Sequence, residues 1–487
     1  MIHHWKTTGF RMSCLAAMAG LCLTQTGYAL ESLSDDRLAE TTGEGIALLP
    51  ENFKMVFQGP NDQSATSSYN RSNITDAAKY DTGFIRIIPT GENYEQLKLT
   101  AAQAAAMHNK ADIFIYGLAL SKSNSDLNQR FSNQGFNWGD AANPWLFRAG
   151  TATNIKQFAA KNPSGDISYL ALEAPLVKVD ADESDNNIKL GFWLDAFSRS
   201  WDSSNTLNPI TGAPIPKPTA DGNDQDLDRN QRLRMQFVAN GLSLNGSQVR
   251  LFQTQASDNT QHNQSLGMAN IIRLNTNDNP STLKISDSET SRNAKAIRLS
   301  TAAIQEGTAA TPALDKSFAP IFNDQEGLYL YSPNLNLVLG NMYQPFVLGS
   351  EGNNIILEVT RIPNVPEIYS QIYTFYNDTD KDTKLEGALT AASFKGSTCN
   401  VAYCGSNLSD VKAGTSTIKY QGTNATHSSI SIGSVTRDPT TNLLKANTDS
   451  NATGVVFRGP SNTMTNLGSA VIDGVMIQHL KFKTTGL

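Results

Sequence analysis

An all-β, mainly antiparallel protein with a large sandwich or jelly-roll-like body and long polar loops is the fold class this sequence predicts, on three observations. Apolar and polar residues alternate at period two: Leu242 and Leu244 flank Ser243, and Val249 and Leu251 flank Arg250, the pattern of half-buried strands. Glycines punctuate these runs, and Gly246 sets a tight reversal between the two just quoted. Asn, Ser, Thr, Asp and Gly crowd the stretches between apolar runs, the turn chemistry of many short strands. A β-solenoid is the alternative, with residues 335–340 and 430–433 as rungs.

The same phrase recurs along the chain. Val471-Ile-Asp-Gly-Val-Met-Ile477 repeats Val238-Ala-Asn-Gly-Leu-Ser-Leu244 nearly position by position, and Ile115-Tyr-Gly-Leu-Ala-Leu120 is a looser copy. These copies stand too far apart for a short-period array and read as core strands of one architecture. With 487 residues, 39% of them hydrophobic, the chain can bury a large core or two to three domains. A net charge of −6 and no basic stripe argue against nucleic acid as a partner, because phosphate binding needs a concentrated basic surface.

Residues 1–29 read as a secretory signal peptide. His3, His4, Lys6 and Arg11 form a basic start, residues 12–23 an apolar run, and Gly27-Tyr28-Ala29 a small-residue cleavage site. The apolar run is shorter than the roughly 20 residues of a spanning helix. The expected destination is therefore the periplasm, the cell surface or the medium, with no transmembrane segment after cleavage. The pair left after cleavage, Cys399 and Cys404, is expected to form a disulfide in an oxidising compartment, two free thiols being the alternative. Two thiols without a second Cys or His pair complete no zinc site.

Residues 30–58 read as a short helix and a first strand. Ser34 can cap the helix, Asp35 and Asp36 suit its positive end, and Gly43 or Gly45 can stop it. Residues 59–376 read as the main β domain. It opens on a polar stretch, then a strand near 84–88 and an Ala-rich helix from the capping box Thr100-Ala-Ala-Gln103. Strand signals follow at 113–120, 169–179, 188–197, 234–253, 271–274, 296–299, 328–339, 346–348 and 355–362. The loop 202–232 holds Pro209, Pro214, Pro216 and Pro218 and an acid-rich end, so it cannot be a central strand. Residues 377–428 are a polar loop region holding the cysteine pair. Residues 429–487 are C-terminal strands expected to complete the β domain, since residues 471–483 left unpaired would expose a sticky edge.

Leu30, Leu33, Ser34, Asp35, Leu38 and Gly43 form a Leu-x-x-Leu-Ser-Asp phrase closing on glycine, with Gly45 one position early. This segment resembles the mature N-terminus of an exported Gram-negative group, the Fil-type proteins assigned to pilus assembly. Residues 111–120, 138–145, 327–334 and 471–486 are similar to members of that group. The resemblance implies association with a surface or pilus; it carries over no catalytic residue.

Candidate chemistry is sparse. Asp81-Thr82-Gly83 matches an aspartic-protease triplet, but Phe84 follows where Ser or Thr is usual and no second triplet exists, so a turn is expected. Asp224, Asp226 and Asp228, and again Asp378, Asp380 and Asp382, space acids like calcium loops. Arg229 and Thr383 replace the required sixth-position Gly, leaving solvated acidic loops. His108, His262, His427 and His479 form no His-Glu-x-x-His, and no Gly-x-Ser-x-Gly elbow occurs. No enzyme activity, cofactor or metal is expected. Trp138 and Trp145 can form a glycan-stacking platform if exposed; packing in the core is the other reading, and Trp193 within Leu-Gly-Phe-Trp-Leu194 has a buried-strand pattern. The expected function is a structural or adhesive component of a surface filament, acting by strand pairing and loop contacts. Its expected partners are other surface or pilus subunits and host or matrix glycans. A secreted glycan-binding protein is the second class; a secreted hydrolase, needing two close carboxylates in a cleft, is the third.

Overall fold

The computed structural model describes residues 45–57, 84–87, 110–140, 144–157, 160–161, 164–175, 177–178, 187–199, 232–276, 280–306, 311–315, 319–359, 408–413, 416–421, 428–437, 444–475, 477 and 479–484. The chain divides after Glu44, and all of these residues belong to the unit Gly45–Leu487. The segment 1–29 read as a signal peptide, the helices expected after Ser34 and Thr100, the turn expected at Asp81-Thr82-Gly83, nearly all of the expected 202–232 loop and Cys399 with Cys404 lie outside the described residues.

The strands in chain order open with β1 (Gly45–Leu48), β2 (Met55–Val56), β3 (Phe84–Ile87), β4 (Lys110–Lys122), β5 (Trp145–Ile155), β6 (Gly165–Glu173) and β7 (Val177–Lys178). Next come β8 (Ile188–Arg199), β9 (Arg232–Leu242), β10 (Gln248–Gln253) and β11 (Leu266–Leu274), then the short helix α1 (Glu289–Asn293). They continue with β12 (Ala296–Ser300), β13 (Ala303–Gln305), the turn α2 (Pro312–Asp315), β14 (Ile321–Phe322), β15 (Gly327–Tyr331), β16 (Pro333–Leu339), β17 (Phe346–Glu351) and β18 (Asn354–Val359). The last are β19 (Leu408–Ala413), β20 (Ser416–Gln421), β21 (Ser428–Ile432), β22 (Val435–Arg437), β23 (Leu444–Ala446), β24 (Val455–Arg458), β25 (Met464–Gly468), β26 (Ala470–Val475) and β27 (Leu480–Lys483).

Sheet I runs β1-β5-β6-β10-β11-β16-β21-β26, with an arm β17-β18-β27 branching from β11; sheet II runs β2-β4-β8-β9-β12-β15-β24-β25, with β3 also on β4. The architecture is an all-β sandwich, and neither sheet closes into a barrel. Every described pairing between strands is antiparallel, which removes the solenoid alternative, because solenoid rungs pair in parallel. The two segments read as rungs pair with each other, Leu335 opposite Ile430.

Three recurring glycines explain the repeated phrase. Gly117, Gly241 and Gly474 all have positive φ, and at each the ladder slips register: β4 on β8, β8 on β9, and β21 on β26. The phrase therefore encodes a glycine bulge inside a strand, a device that bends and twists the strand. At Gly241 a side chain has no room, since a Cβ would overlap the carbonyl of Ala294.

The reversal at Gly246 exists, with Ser247 N donating to Leu244 O at 3.0 Å, but its two arms do not form a hairpin. β9 belongs to sheet II and β10 to sheet I. The stretch 328–339 likewise divides at Ser332 (φ 44) into β15 of sheet II and β16 of sheet I, and Gly468 (φ 80) divides β25 from β26. Strands thus pass from one sheet to the other at a corner, as sheets joined by bent strands do. Buried small polar groups hold that corner. Ser243 and Asn275 exchange backbone hydrogen bonds of 2.8 and 2.9 Å, Thr276 N donates to Asn334 Oδ1 at 3.1 Å, and Ser434 N donates to Thr453 O at 2.7 Å.

Apolar clusters lie on both sides of sheet II. Phe114, Tyr116, Trp193 and Phe197 pack under Ala313 and Phe322, and Val238, Ala296, Tyr329, Tyr331 and Val456 pack with Leu127. On the other side Phe136, Ile188, Ala239 and Leu242 gather with Phe53, Trp138 and Leu274. Sheet I carries its own cluster of Ile155, Ile167, Phe252, Ala269 and Met342. Burying each such large side chain contributes about 1.5–3 kcal/mol. Strand β5, absent from the expected list, carries Ala149, Gly150 and Ala152, whose small side chains weaken the apolar alternation.

Candidate interaction surfaces

In parts of several strands alternation has the reverse of the sense expected for a protein in water. In β9, Arg234 and Gln236 are buried while the intervening Leu233 is 53% exposed. In β6, Ala171 and Glu173 are buried while Leu170 and Leu172 are 45% and 39% exposed. Directly opposed residues of an antiparallel ladder share a face, so these exposed positions can be followed across sheet I. Ile46 faces Phe147, Phe147 faces Leu172, and Leu172 faces Val249. That row ends where Val249 faces the buried Asn270; farther along the same face Ile272 faces Leu337, and on a further row Leu335 faces Ile430 and Ile430 faces Ile472. Sheet II has an apolar row, half-buried except for the exposed Phe457, in which Phe192, Phe237, Leu299, Leu328 and Phe457 stand opposite one another in turn. None of these rows contains a charge.

Charges are sorted to the buried face. Arg234 holds Asp195 through two hydrogen bonds of 2.7 and 2.8 Å, and Tyr116 donates to the same carboxylate at 3.1 Å. Arg234 Nη1 also donates to the Glu306 carbonyl at 2.6 Å, and Arg232 pairs with the Glu306 carboxylate. Burial, and then the Asp195 charge, push the Tyr116 hydroxyl well above its usual pKa, so it stays a donor. Arg298 donates to Asn128 Oδ1 at 2.7 Å, to Glu326 O at 2.8 Å and to Asn323 O. Lys189 donates to Asn124 Oδ1 at 2.9 Å and to Asp126 O, while burial pulls its pKa down to about 8. Each cation ties a loop back onto sheet II, so these groups organise the buried face.

The predicted residues are placed as follows. Trp138 and Trp145 do come together, ring centroids 5.6 Å apart, but within an aromatic group: Trp138 stacks on Phe53 at 5.7 Å and meets Phe136 at 4.9 Å. Phe53 thus occupies one face of Trp138, and Trp145 Nε1 is buried with no acceptor among the described residues, the opposite of a wet indole platform. Trp193 is 6% exposed, as its strand pattern predicts, and Arg130 lies 4.1 Å above its ring. His262 and His479 lie 3.7 and 3.2 Å from the two oxygens of Glu358; burial lowers the His262 pKa, with Glu358 opposing. Both acidic triplets, His108, His427 and Trp201 lie outside the described residues.

Each sheet path ends on a strand laddered on one flank among the described residues: β1 and β26 in sheet I, β2 and β25 in sheet II. Within the stretch expected to pair, β26 ladders on β21 and β27 on β18. Yet β26 itself becomes an edge. Sequence reading missed both the charged buried face and the continuity of these edges. The first was legible in Arg232-Leu-Arg-Met-Gln-Phe237, where charged and apolar residues alternate. The second has no local signal, because an edge is defined by what fails to arrive beside it. No family model, curated protein or solved structure matches the chain.

Proposed function

We propose that this chain is an exported structural or adhesive component of a surface assembly, acting through strand pairing and loop-mediated contacts. The observation that carries this reading is the set of strand edges left open among the described residues, β1, β2 and β25 without a charge and β26 with Asp473 alone, bordering apolar rows that hold no charge. Such edges are templates for further strands, and soluble monomers usually blunt them. Support from the sequence comes from the N-terminal segment 1–29 and from the resemblance at residues 30–45 to exported pilus-associated proteins.

The test is to express the whole chain in a Gram-negative host, separate cytoplasm, periplasm, outer membrane and medium, and size the product. The expected result is a shortened polypeptide outside the cytoplasm in particles much larger than one chain. A full-length, monomeric product confined to the cytoplasm would defeat the proposal.

A further inference from the structure

We infer that copies of this chain join head to tail, with the β25–β26 edge of one copy laddered antiparallel onto the β1–β2 edge of the next. This rests on the structural role just proposed and names its partner, a second copy of the same chain.

Neighbours in both sheet paths are antiparallel, and each path contains eight strands, so its first and last strands run in opposite directions. A last strand laddered on one flank among the described residues therefore offers the antiparallel partner that such a first strand of another copy needs. Both sheets meet this condition, because each terminal stretch crosses the corner and strand direction in one sheet fixes it in the other. The first edges come from one stretch, residues 45–56, which goes from sheet I to sheet II, and the last edges from residues 464–475, which go from sheet II to sheet I. The two stretches cross the corner in opposite senses, so a single docking event extends both sheets at once.

Side chains agree with the backbone. Ile46 and Ile472, each 59% exposed, lie on the same face of sheet I at its two ends, so docking sets one apolar face beside the next. Leu467, 62% exposed, stands on the same terminal edge. Strand composition separates these edges from a third. Edge strand β27 carries Lys481 and Lys483, held by Glu351 at 3.2 and 2.9 Å, the charged guard expected of an edge that must stay single. Strands β1, β2 and β25 carry no charged residue and no proline, and β26 carries only Asp473, whose carboxylate accepts from Leu444 N of the same chain. An interface between different ends that does not close on itself propagates, giving a filament.

Three full-length proteins test this by light scattering and sedimentation: wild type, a first-edge variant with Ile46→Lys and Leu48→Lys, and a last-edge variant with Leu467→Lys and Ile472→Lys. Circular dichroism and the urea midpoint establish that each is folded; Ile46→Thr and Ile472→Thr are milder substitutes if one is not. Wild type is expected to polymerise, each variant alone to stay monomeric, and an equal mixture of the two to stop at twice the monomer mass. That complementation arises only when the edges differ and meet head to tail. Dimers of one variant alone would indicate like-to-like pairing and overturn the inference. A wild type that is monomeric at every concentration, through closure on itself or dependence on a different protein, overturns it too. Fractionation separates the two claims: a monomer still exported and held at the surface leaves the broader function standing, whereas cytoplasmic retention removes that function whatever the edges do.

Discussion

Asp195 is fully buried, and its charge is balanced by the paired hydrogen bonds of Arg234 and the hydroxyl of Tyr116. Removing one partner of such a pair leaves the other charge without compensation, at a cost of about 3–5 kcal/mol. Asp195→Ala should therefore lower the urea unfolding free energy by about that amount, and adding Arg234→Met should restore part of it; additive losses would show the pair is uncoupled. Lys189 gives the pH test. Its pKa falls from 10.5 to about 8 because burial disfavours the ammonium. Below pH 8 the folded state carries that burial cost. Between about 8 and 10.5 the folded amine is neutral while the unfolded one holds its proton, so unfolding takes up a proton and stability rises with pH. Urea titrations from pH 7 to 10 should show this rise, and Lys189→Met should flatten it; identical slopes would remove the assignment.

Glycine bulges explain how one phrase serves three strands. Asn240 sits before Gly241 and donates to the carbonyls of Asn293 and Ala294 at 3.0 and 3.1 Å, while Asp473 sits before Gly474 and accepts from Leu444 N at 2.7 Å. In both, a short polar side chain beside a left-handed glycine fastens a neighbouring segment to the strand. Period-two patterning made these strands readable, and β8 was located almost to its ends. Partner choice was not readable: β9 and β10 join different sheets despite a good turn between them, because pairing depends on which distant strand arrives alongside. Strand position sets local stability as well. Amides of the central β8, β9 and β12, laddered on both flanks, should exchange slowest, and those of β1 and β26 fast in the monomer. Hydrogen-exchange mass spectrometry should then find β1 and β26 protected in the assembled form; unchanged exchange there would mean assembly proceeds elsewhere.

The molecule buries several charged residues, Asp195, Lys189 and Arg298 among them, and leaves many of its leucines and isoleucines half exposed. Exposed apolar rows without a charge are places where something apolar can adhere. The folded protein should bind an environment-sensitive naphthalene sulfonate dye, and Leu172→Ser with Ile272→Ser should reduce that fluorescence. The urea midpoint should move little, because both side chains are 37–39% exposed already. A dye signal unaffected by the pair would place binding elsewhere. The sequence by itself determined strand existence, the glycine positions and the all-β class, since alternation and backbone steric limits act between near neighbours. Only the tertiary structure decided which face is buried, where strands change sheets and which strands are left as edges. Those outcomes depend on chain segments far apart in sequence, and alternation at period two is equally satisfied with either face turned inward.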